Sequence, residues 1–82
     1  MTYEDILINT KQIINNYLER EKIEESNYLE RDLNIDSISF IGIIADIEEK
    51  FGQIIDIEDL LKNGDITVSE FINYIAKKNS IK

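Results

Sequence analysis

The sequence predicts an all-α fold, a small up-down bundle of three main helices and one short helix, with a long loop after the first helix. Apolar residues recur at helical spacing in three separate segments, and polar residues typical of helix caps precede them. No proline interrupts the 82 residues. A chain of this length forms one small domain, residues 1–82, whose core is near the minimum for independent stability. Helix packing must therefore hold the fold together.

The first helix is expected from about residue 3 to residue 19. Thr2 and Asp5 have the spacing of a capping box, and residues at helical spacing follow them. These are Ile6, Leu7, Thr10, Ile13, Ile14, Tyr17 and Leu18. The periodicity is lost over residues 20–35, which predicts a long loop, an unusual feature in a small domain. Its scattered apolar residues should attach it to the core, namely Ile23, Tyr28, Leu29, Leu33 and Ile35.

The second helix is expected from residue 38 to residue 51 and is the most apolar of the chain. Asp36 can cap its start, because an aspartate side chain accepts hydrogen bonds from the first free backbone N–H groups of a helix. Gly52 stands directly after Phe51, where a residue in the left-handed conformation commonly ends a helix.

Two further helices are expected in the last third of the chain. Residues 56–62 can form a short third helix that ends near residues 63–64. Thr67 and Glu70 have the spacing of a second capping box, which predicts a last helix to about residue 78. One side of this helix is apolar and comprises Val68, Phe71, Ile72 and Ile75.

The second helix carries two apolar stripes. At about 100° per residue, one stripe has the width of an ordinary core-facing surface and comprises Phe40, Ile43, Ile44, Ile47 and Phe51. We expect it to form the core with apolar residues of the first and last helices, namely Ile6, Leu7, Ile13, Ile14, Leu18, Phe71, Ile72 and Ile75. The second stripe comprises Ile38, Ile41, Gly42 and Ala45, and it is flanked by Glu48 and Glu49.

The residues alone leave two interpretations of the second stripe open. The helix can lie centrally in the bundle and contact neighbours on both sides. Alternatively, the stripe is a docking surface, on which an apolar patch supplies contact area while solvated Glu48 and Glu49 orient a basic partner. In that case, lysine at both glutamate positions should leave the fold intact, or slightly more stable, because the helix dipole favours cations near the C-terminus.

Composition excludes several classes of function. The chain has no cysteine and no histidine, so it lacks a thiolate nucleophile, a near-neutral general base and the commonest transition-metal ligands. A self-contained Ser-His-Asp hydrolase is excluded. The net charge of -8 disfavours nucleic acid and anionic lipid and favours basic protein partners. The acidic start and the lack of a long apolar run predict no signal peptide, no membrane insertion and a cytoplasmic location.

A partial calcium-binding pattern overlaps the start of the second helix. Asp32, Asn34 and Asp36 match the first three oxygen ligands of an EF-hand loop. The pattern then fails, because Ser37 stands where the loop requires glycine and Ile43 stands where it requires a bidentate glutamate. We therefore expect no metal site here.

Asp36, Ser37 and Ile38 stand at the start of the second helix, within residues 33–38 that run into residues 47–51. These segments are similar to the 4'-phosphopantetheine attachment region of the acyl carrier proteins, a family in which an Asp-Ser-Leu motif opens a helix. The resemblance continues through residues 54–60 and 67–75. It implies that Ser37 carries a 4'-phosphopantetheine arm, derived from coenzyme A, whose terminal thiol holds acyl or aminoacyl groups as thioesters.

The resemblance also implies a carrier that is not itself an enzyme. Asp36 belongs to the motif and can cap the helix by itself, which leaves the Ser37 hydroxyl at the positive end of the helix dipole, where an anion is favoured. Nothing in the chain can deprotonate Ser37. A phosphopantetheinyl transferase would modify it, and acyl- or aminoacyl-loading and acyl-processing enzymes would act on the product. A monomer is expected.

In that family the helix after the modified serine is the main recognition element, which favours the docking interpretation of the second stripe. The implied recognition residues are Ile38, Ile41, Gly42, Ala45, Glu48 and Glu49, facing enzymes with basic docking surfaces.

Departures from the family pattern bear on the pathway. Ile38 replaces the usual leucine, and Asn34 stands where glycine is frequent; both changes are mild, since asparagine tolerates the left-handed conformation. Ser39 and Gly42 occupy positions where carriers of general fatty acid synthesis usually have acidic residues. This favours a specialised carrier for polyketide, nonribosomal peptide or D-alanyl transfer chemistry. A carrier of general fatty acid synthesis is the second interpretation, and an unmodified helical interaction adaptor is the alternative from another class.

Overall fold

The computed structural model describes residues 2–18 and 22–79, and these residues form four helices. Helix α1 spans Tyr3–Leu18, α2 spans Ser37–Phe51, α3 spans Ile57–Leu60 and α4 spans Val68–Asn79. The predicted all-α bundle, with three main helices, one short helix and a long first loop, is confirmed. The expected helix end at residue 19 and the loop start at residue 20 lie outside the described residues.

The helix ends follow the capping signals in the sequence. Asp5 N–H donates to the Thr2 hydroxyl at 3.1 Å, and Thr2 N–H donates to the Asp5 carboxylate at 3.3 Å. Thr67 and Glu70 exchange the same pair of bonds before α4, at 2.9 and 3.1 Å. Gly52 ends α2 in the left-handed conformation, with φ of 65°. These bonds satisfy backbone groups that would otherwise have no partner within the helix.

Helix α3 is shorter than predicted. The prediction of residues 56–62 is wrong at its C-terminal end, because the helix stops at Leu60 and residues 61–63 form turns. Asp56 caps its start, as its side chain accepts from Asp59 N–H at 3.2 Å. Gly64 N–H donates to Leu61 O at 2.9 Å, and this tight turn redirects the chain toward α4.

The core lies where α1 packs against α2 and α4. Its fully buried members include Ile6 and Ile14 of α1, Ile43 and Ile47 of α2, and the apolar side of α4. Most residues of the predicted core stripes are buried in this cluster. The others are half-buried and pack against it, namely Leu7, Ile13, Leu18 and Phe40. The predicted core is therefore confirmed.

The loop between α1 and α2 is fixed to the bundle over its described residues. Ile23, Leu29, Leu33 and Ile35 are buried in the core, as predicted. The loop also exchanges backbone hydrogen bonds with the segment that leads into α4, including Leu29 N–H to Ile66 O and Val68 N–H to Asn27 O, both at 2.9 Å. In residues 2–18 and 22–79 no helix has the length and apolarity needed to cross a membrane.

Candidate functional site

Ser37 is the first residue of α2 and is exposed. The residue before it, Asp36, caps the helix by accepting a hydrogen bond from Ser39 N–H at 2.8 Å. The cap is therefore supplied by Asp36, as the sequence predicts, and not by Ser37. The hydrogen bonds from Ser39, of which the backbone N–H makes the largest contribution, lower the pKa of the Asp36 carboxyl below its usual value. The carboxylate form is thus the one that the helix start stabilises.

The backbone before Ser37 is held by buried side chains and by a relay of hydrogen bonds. Leu33 and Ile35 are both buried, and Asn34 between them adopts the left-handed conformation with φ of 59°. Ile35 N–H donates to Leu29 O at 3.0 Å, while Leu29 N–H donates to Ile66 O at 2.9 Å. The start of α2 is therefore linked through the loop to the segment before α4.

Asp65 organises this loop and was not identified from the sequence. Its carboxylate accepts hydrogen bonds from the backbone N–H groups of Glu30, Arg31 and Ile66, at 3.1, 3.0 and 2.9 Å. Two of these donors lie 34 and 35 positions away in the chain. No local pattern reveals such a bond, because a single aspartate after Gly64 is equally typical of a solvated turn.

A cleft of about 620 Å³ opens beside Ser37. Its apolar wall is formed by Leu29, Ile35, Phe40 and Leu61, and its remaining lining residues are Glu30, Asp36, Ser37, Gly64 and Asp65. The Phe40 ring packs on the Phe71 ring of α4, with centroids 6.3 Å apart. The cleft thus combines apolar residues that belong to the core or pack against it with polar residues of the loop and of the start of α2.

The second stripe of α2 is exposed over most of its length. Ile38 is 82% exposed, Ile41 is 60% exposed, and Ala45 and Glu49 are exposed as well. Neighbouring helices therefore do not cover Ile38 and Ile41. At these two positions the stripe does not serve internal packing. Ile54, in the segment after α2, is 81% exposed and was not identified from the sequence. Ile38, Ile41 and Ala45 thus present exposed apolar side chains on the helix that Ser37 begins.

Gly42 differs from the other residues of the stripe because it contacts α1. A Cβ atom at this position would lie 2.7 Å from the Tyr17 hydroxyl oxygen and 2.8 Å from Tyr17 Cε2. The absence of a side chain at Gly42 therefore permits the Tyr17 ring to lie against α2. The helical wheel cannot show this packing role, since it depends on where α1 passes α2.

Glu48 is not a solvated charge, and the expectation that it is one was wrong. Its side chain is half-buried and accepts a hydrogen bond from Ile55 N–H at 2.9 Å. The Glu48 backbone carbonyl also accepts from Gly52 N–H at 2.8 Å. Replacement by lysine should therefore destabilise the segment after α2, contrary to the neutral or favourable effect expected from the helix dipole. Glu49 is exposed, so its charge is presented to solvent.

The carboxylates of the partial calcium pattern serve the backbone in this structure. Asp32 accepts from Tyr28 N–H at 2.7 Å, and Asp36 accepts from Ser39 N–H. Within the part of the chain that the structure describes, no three or more acidic side chains are grouped closely enough to hold a metal ion.

Comparison with known proteins finds a family model and several relatives that match most of the chain. Residues 11–75 match the family model described as "Phosphopantetheine attachment site". Over 77 residues the chain is 34% identical to an acyl carrier protein of Thermotoga maritima, a match that covers 92% of this chain and 93% of that protein. Over 75 residues it is 40% identical to an acyl carrier protein of Renibacterium salmoninarum, covering 89% and 90% respectively. The family match includes Asp36, Ser37 and the whole of α2.

Proposed function

The chain belongs to the acyl carrier protein family, which carries a covalently attached 4'-phosphopantetheine, and we propose that Ser37 is the attachment residue. The observation that carries the proposal is the exposed Ser37 at the first position of α2, with Asp36 as the helix cap. Because the cap is already supplied, the Ser37 hydroxyl can take part in an ester bond without loss of a helix-capping interaction.

The residues around Ser37 fit the attached group. A phosphodiester anion at this position is favoured by the partial positive charge at the start of the 15-residue helix. When bound, the arm supplies the thiol that carries the acyl or aminoacyl group, which is a function that the cysteine-free chain cannot provide itself. The cleft beside Ser37 offers an apolar wall to groups held close to the attachment point.

The protein's own contribution is to position and present Ser37, not to catalyse its modification. The chain has no histidine or cysteine that could act as a near-neutral base or as a thiol nucleophile. We therefore propose that a phosphopantetheinyl transferase modifies Ser37 and that separate enzymes load and process the acyl group. The cytoplasmic location and the monomeric state remain predictions from the sequence.

The partner enzymes are proposed to dock on the exposed side of α2. Ile38, Ile41 and Ala45 supply apolar contact area next to Ser37, and Glu49 supplies exposed negative charge further along. Ile54 can extend the apolar area beyond the end of α2. With a net charge of -8, the carrier should favour partners whose docking surfaces are basic.

The attachment site can be tested by intact-mass measurement. The wild type, Ser37→Ala and Ser39→Ala are each incubated with coenzyme A and a promiscuous phosphopantetheinyl transferase. We expect one added arm on the wild type and on Ser39→Ala, and none on Ser37→Ala. Ser39→Ala is the matched control because it removes a nearby hydroxyl from the same helix turn. An added arm on Ser37→Ala, or none on the wild type with a transferase that modifies another carrier, would contradict the proposal and favour an unmodified adaptor.

We further propose that the carrier serves a specialised pathway of polyketide, nonribosomal peptide or D-alanyl chemistry. The proposal is supported by the uncharged residues Ser39 and Gly42 in the first turns of α2. The test compares loading of the modified wild type and of Ser39→Asp by a malonyl-transferring enzyme of general fatty acid synthesis. We expect poor loading of the wild type and better loading of Ser39→Asp. Efficient loading of the wild type would assign the protein to general fatty acid synthesis instead.

A further inference from the structure

Tyr17, near the C-terminal end of α1, lies across the surface of α2. Its hydroxyl donates a hydrogen bond to Asp46 Oδ2 at 2.8 Å, and its ring occupies the space that a side chain at position 42 would need. Tyr17 remains partly accessible to solvent in this contact, with 37% of the residue exposed. Tyr17 thus adds an aromatic surface to α2 at the one position of the exposed stripe that has no side chain.

The Tyr17 ring lies at one border of the exposed stripe. Residues three and four apart are neighbours on a helix surface, so Gly42 lies next to Ile38 on one side and next to Ala45 on the other. Both neighbours are exposed. The residue that the ring covers therefore has exposed apolar residues as its neighbours along α2.

We propose that Tyr17 is a partner-contacting residue, and that it completes an apolar docking patch next to Ser37. This inference rests on the proposed function. Residues 37–45 contain no charged side chain, and the first acidic residues of α2 are Asp46 and then Glu48 and Glu49. At a rise of 1.5 Å per residue, Glu49 lies about 18 Å along the helix from Ser37. The partner that fits this surface is an enzyme with an apolar surface beside its active site and basic groups about 18 Å from that site.

The hydrogen bond to Asp46 suits the ring to this role. An aromatic side chain has few rotatable bonds, and a bond at its far end restricts it further before a partner arrives. Binding then costs less conformational entropy than it would with a freely rotating ring.

The test uses the transferase and the full chain. Tyr17→Ala should raise the KM for the carrier by about tenfold, the effect of an aromatic residue that contributes strongly to an interface, with kcat unchanged. The rise should be the same at about 50 mM and about 500 mM salt, because apolar contacts are not screened, whereas the effect of Glu49→Lys should shrink at high salt. Tyr3→Ala is the control, since Tyr3 is an exposed aromatic residue of the same helix, about 21 Å from Tyr17 along its axis.

Gly42→Ala separates docking from packing. Its Cβ should displace the far end of the Tyr17 side chain, so the KM should rise. Thermal stability should not fall, because the exposed end of the ring can move and alanine has the higher helix propensity. In the double variant Tyr17→Ala/Gly42→Ala the KM should equal that of Tyr17→Ala, because the ring that the new Cβ would displace is already absent. If the two substitutions raise the KM independently, or if Tyr17→Ala leaves the KM unchanged, Tyr17 serves packing alone and the inference is overturned.

An equilibrium measurement keeps this inference distinct from the proposed function. Calorimetric titration of the transferase with Ser37→Ala, with and without Tyr17→Ala, reports on docking without any modification. We expect a dissociation constant about tenfold higher when Tyr17 is absent. Equal dissociation constants would overturn the role of Tyr17 even if Ser37 is modified. If the wild type binds the transferase but is never modified, the assignment of Ser37 as the attachment residue is wrong, whereas the role of Tyr17 in docking is unaffected.

Discussion

Helix α2 has one buried and one exposed apolar stripe, and matched isoleucine truncations should separate them. Ile47 is fully buried, whereas Ile41, about 120° away around the same helix, is 60% exposed. Truncation of a fully buried isoleucine to alanine typically costs about 2 to 5 kcal/mol, because apolar burial is lost and a cavity remains. For 82 residues the total free energy of unfolding is expected to be about 4 to 12 kcal/mol. Ile47→Ala should therefore remove a large share of the stability.

Ile41→Ala changes an exposed side chain, for which effects within about 0.5 kcal/mol are usual. Both substitutions replace isoleucine by alanine within α2, so helix propensity contributes equally to the two variants and cancels in the comparison. In a domain of this size each kcal/mol shifts the Tm by about 4 to 8 °C, so Ile47→Ala should lower the Tm by at least about 8 °C.

The assay is urea and thermal unfolding followed by circular dichroism, combined with transferase kinetics on the same samples. Ile47→Ala should lose stability, and Ile41→Ala should keep its stability but show a higher KM for modification. Equal losses of stability in the two variants would refute the assignment of the inner and outer sides of α2. A wild-type KM for Ile41→Ala would remove this residue from the docking surface while leaving the core assignment intact.

Two further predictions concern the ends of α2. Glu48→Lys should lower the free energy of unfolding by about 1 to 3 kcal/mol, because the buried Ile55 N–H loses its acceptor, while Glu49→Lys should leave urea unfolding nearly unchanged. Glu48→Lys with wild-type stability would refute the role of that bond. The backbone hydrogen bond from Ser39 is the main reason why the pKa of the Asp36 carboxyl is lowered in the folded state. The ionised carboxylate therefore stabilises the fold fully above its ordinary pKa of 3.8, and this stabilisation is lost as the pH falls through the lowered pKa. Asp36→Asn should therefore reduce the loss of stability in acid unfolding below about pH 4, and an unchanged acid profile would contradict this.

Gly42, Tyr17 and Glu48 show how a surface position acquires a structural role. On the wheel, Gly42 and Glu48 lie at opposite borders of the exposed stripe, and each is used by a neighbouring segment: Tyr17 covers Gly42, and the backbone after α2 bonds to Glu48. The freely exposed part of the stripe is therefore narrower than the wheel indicates. Mutational tests of docking are cleanest at Ile41 and Glu49, which are exposed and have no such contact with residues 2–18 and 22–79.

The sequence by itself determined the helices, because their signals are local. Periodic apolar residues defined α1, α2 and α4, and both capping boxes formed as their spacing predicted. Asp36 and Gly52 bounded α2 for the same reason, since a cap bonds to atoms within about one turn. The third helix was predicted too long because a run of only a few residues carries little periodic signal.

Only the tertiary structure decided which side of α2 stays exposed and which distant residues serve the site. A helical wheel assigns the same angles whether a neighbouring helix covers a stripe or not, so the exposure of Ile38 and Ile41 depended on where α1 and α4 pack. The bond from Tyr17 to Asp46 spans 29 positions, and the bond from Glu30 N–H to Asp65 spans 35. Such pairs meet only after the loops have closed and the core has formed, and nothing in the local sequence of either partner specifies the other.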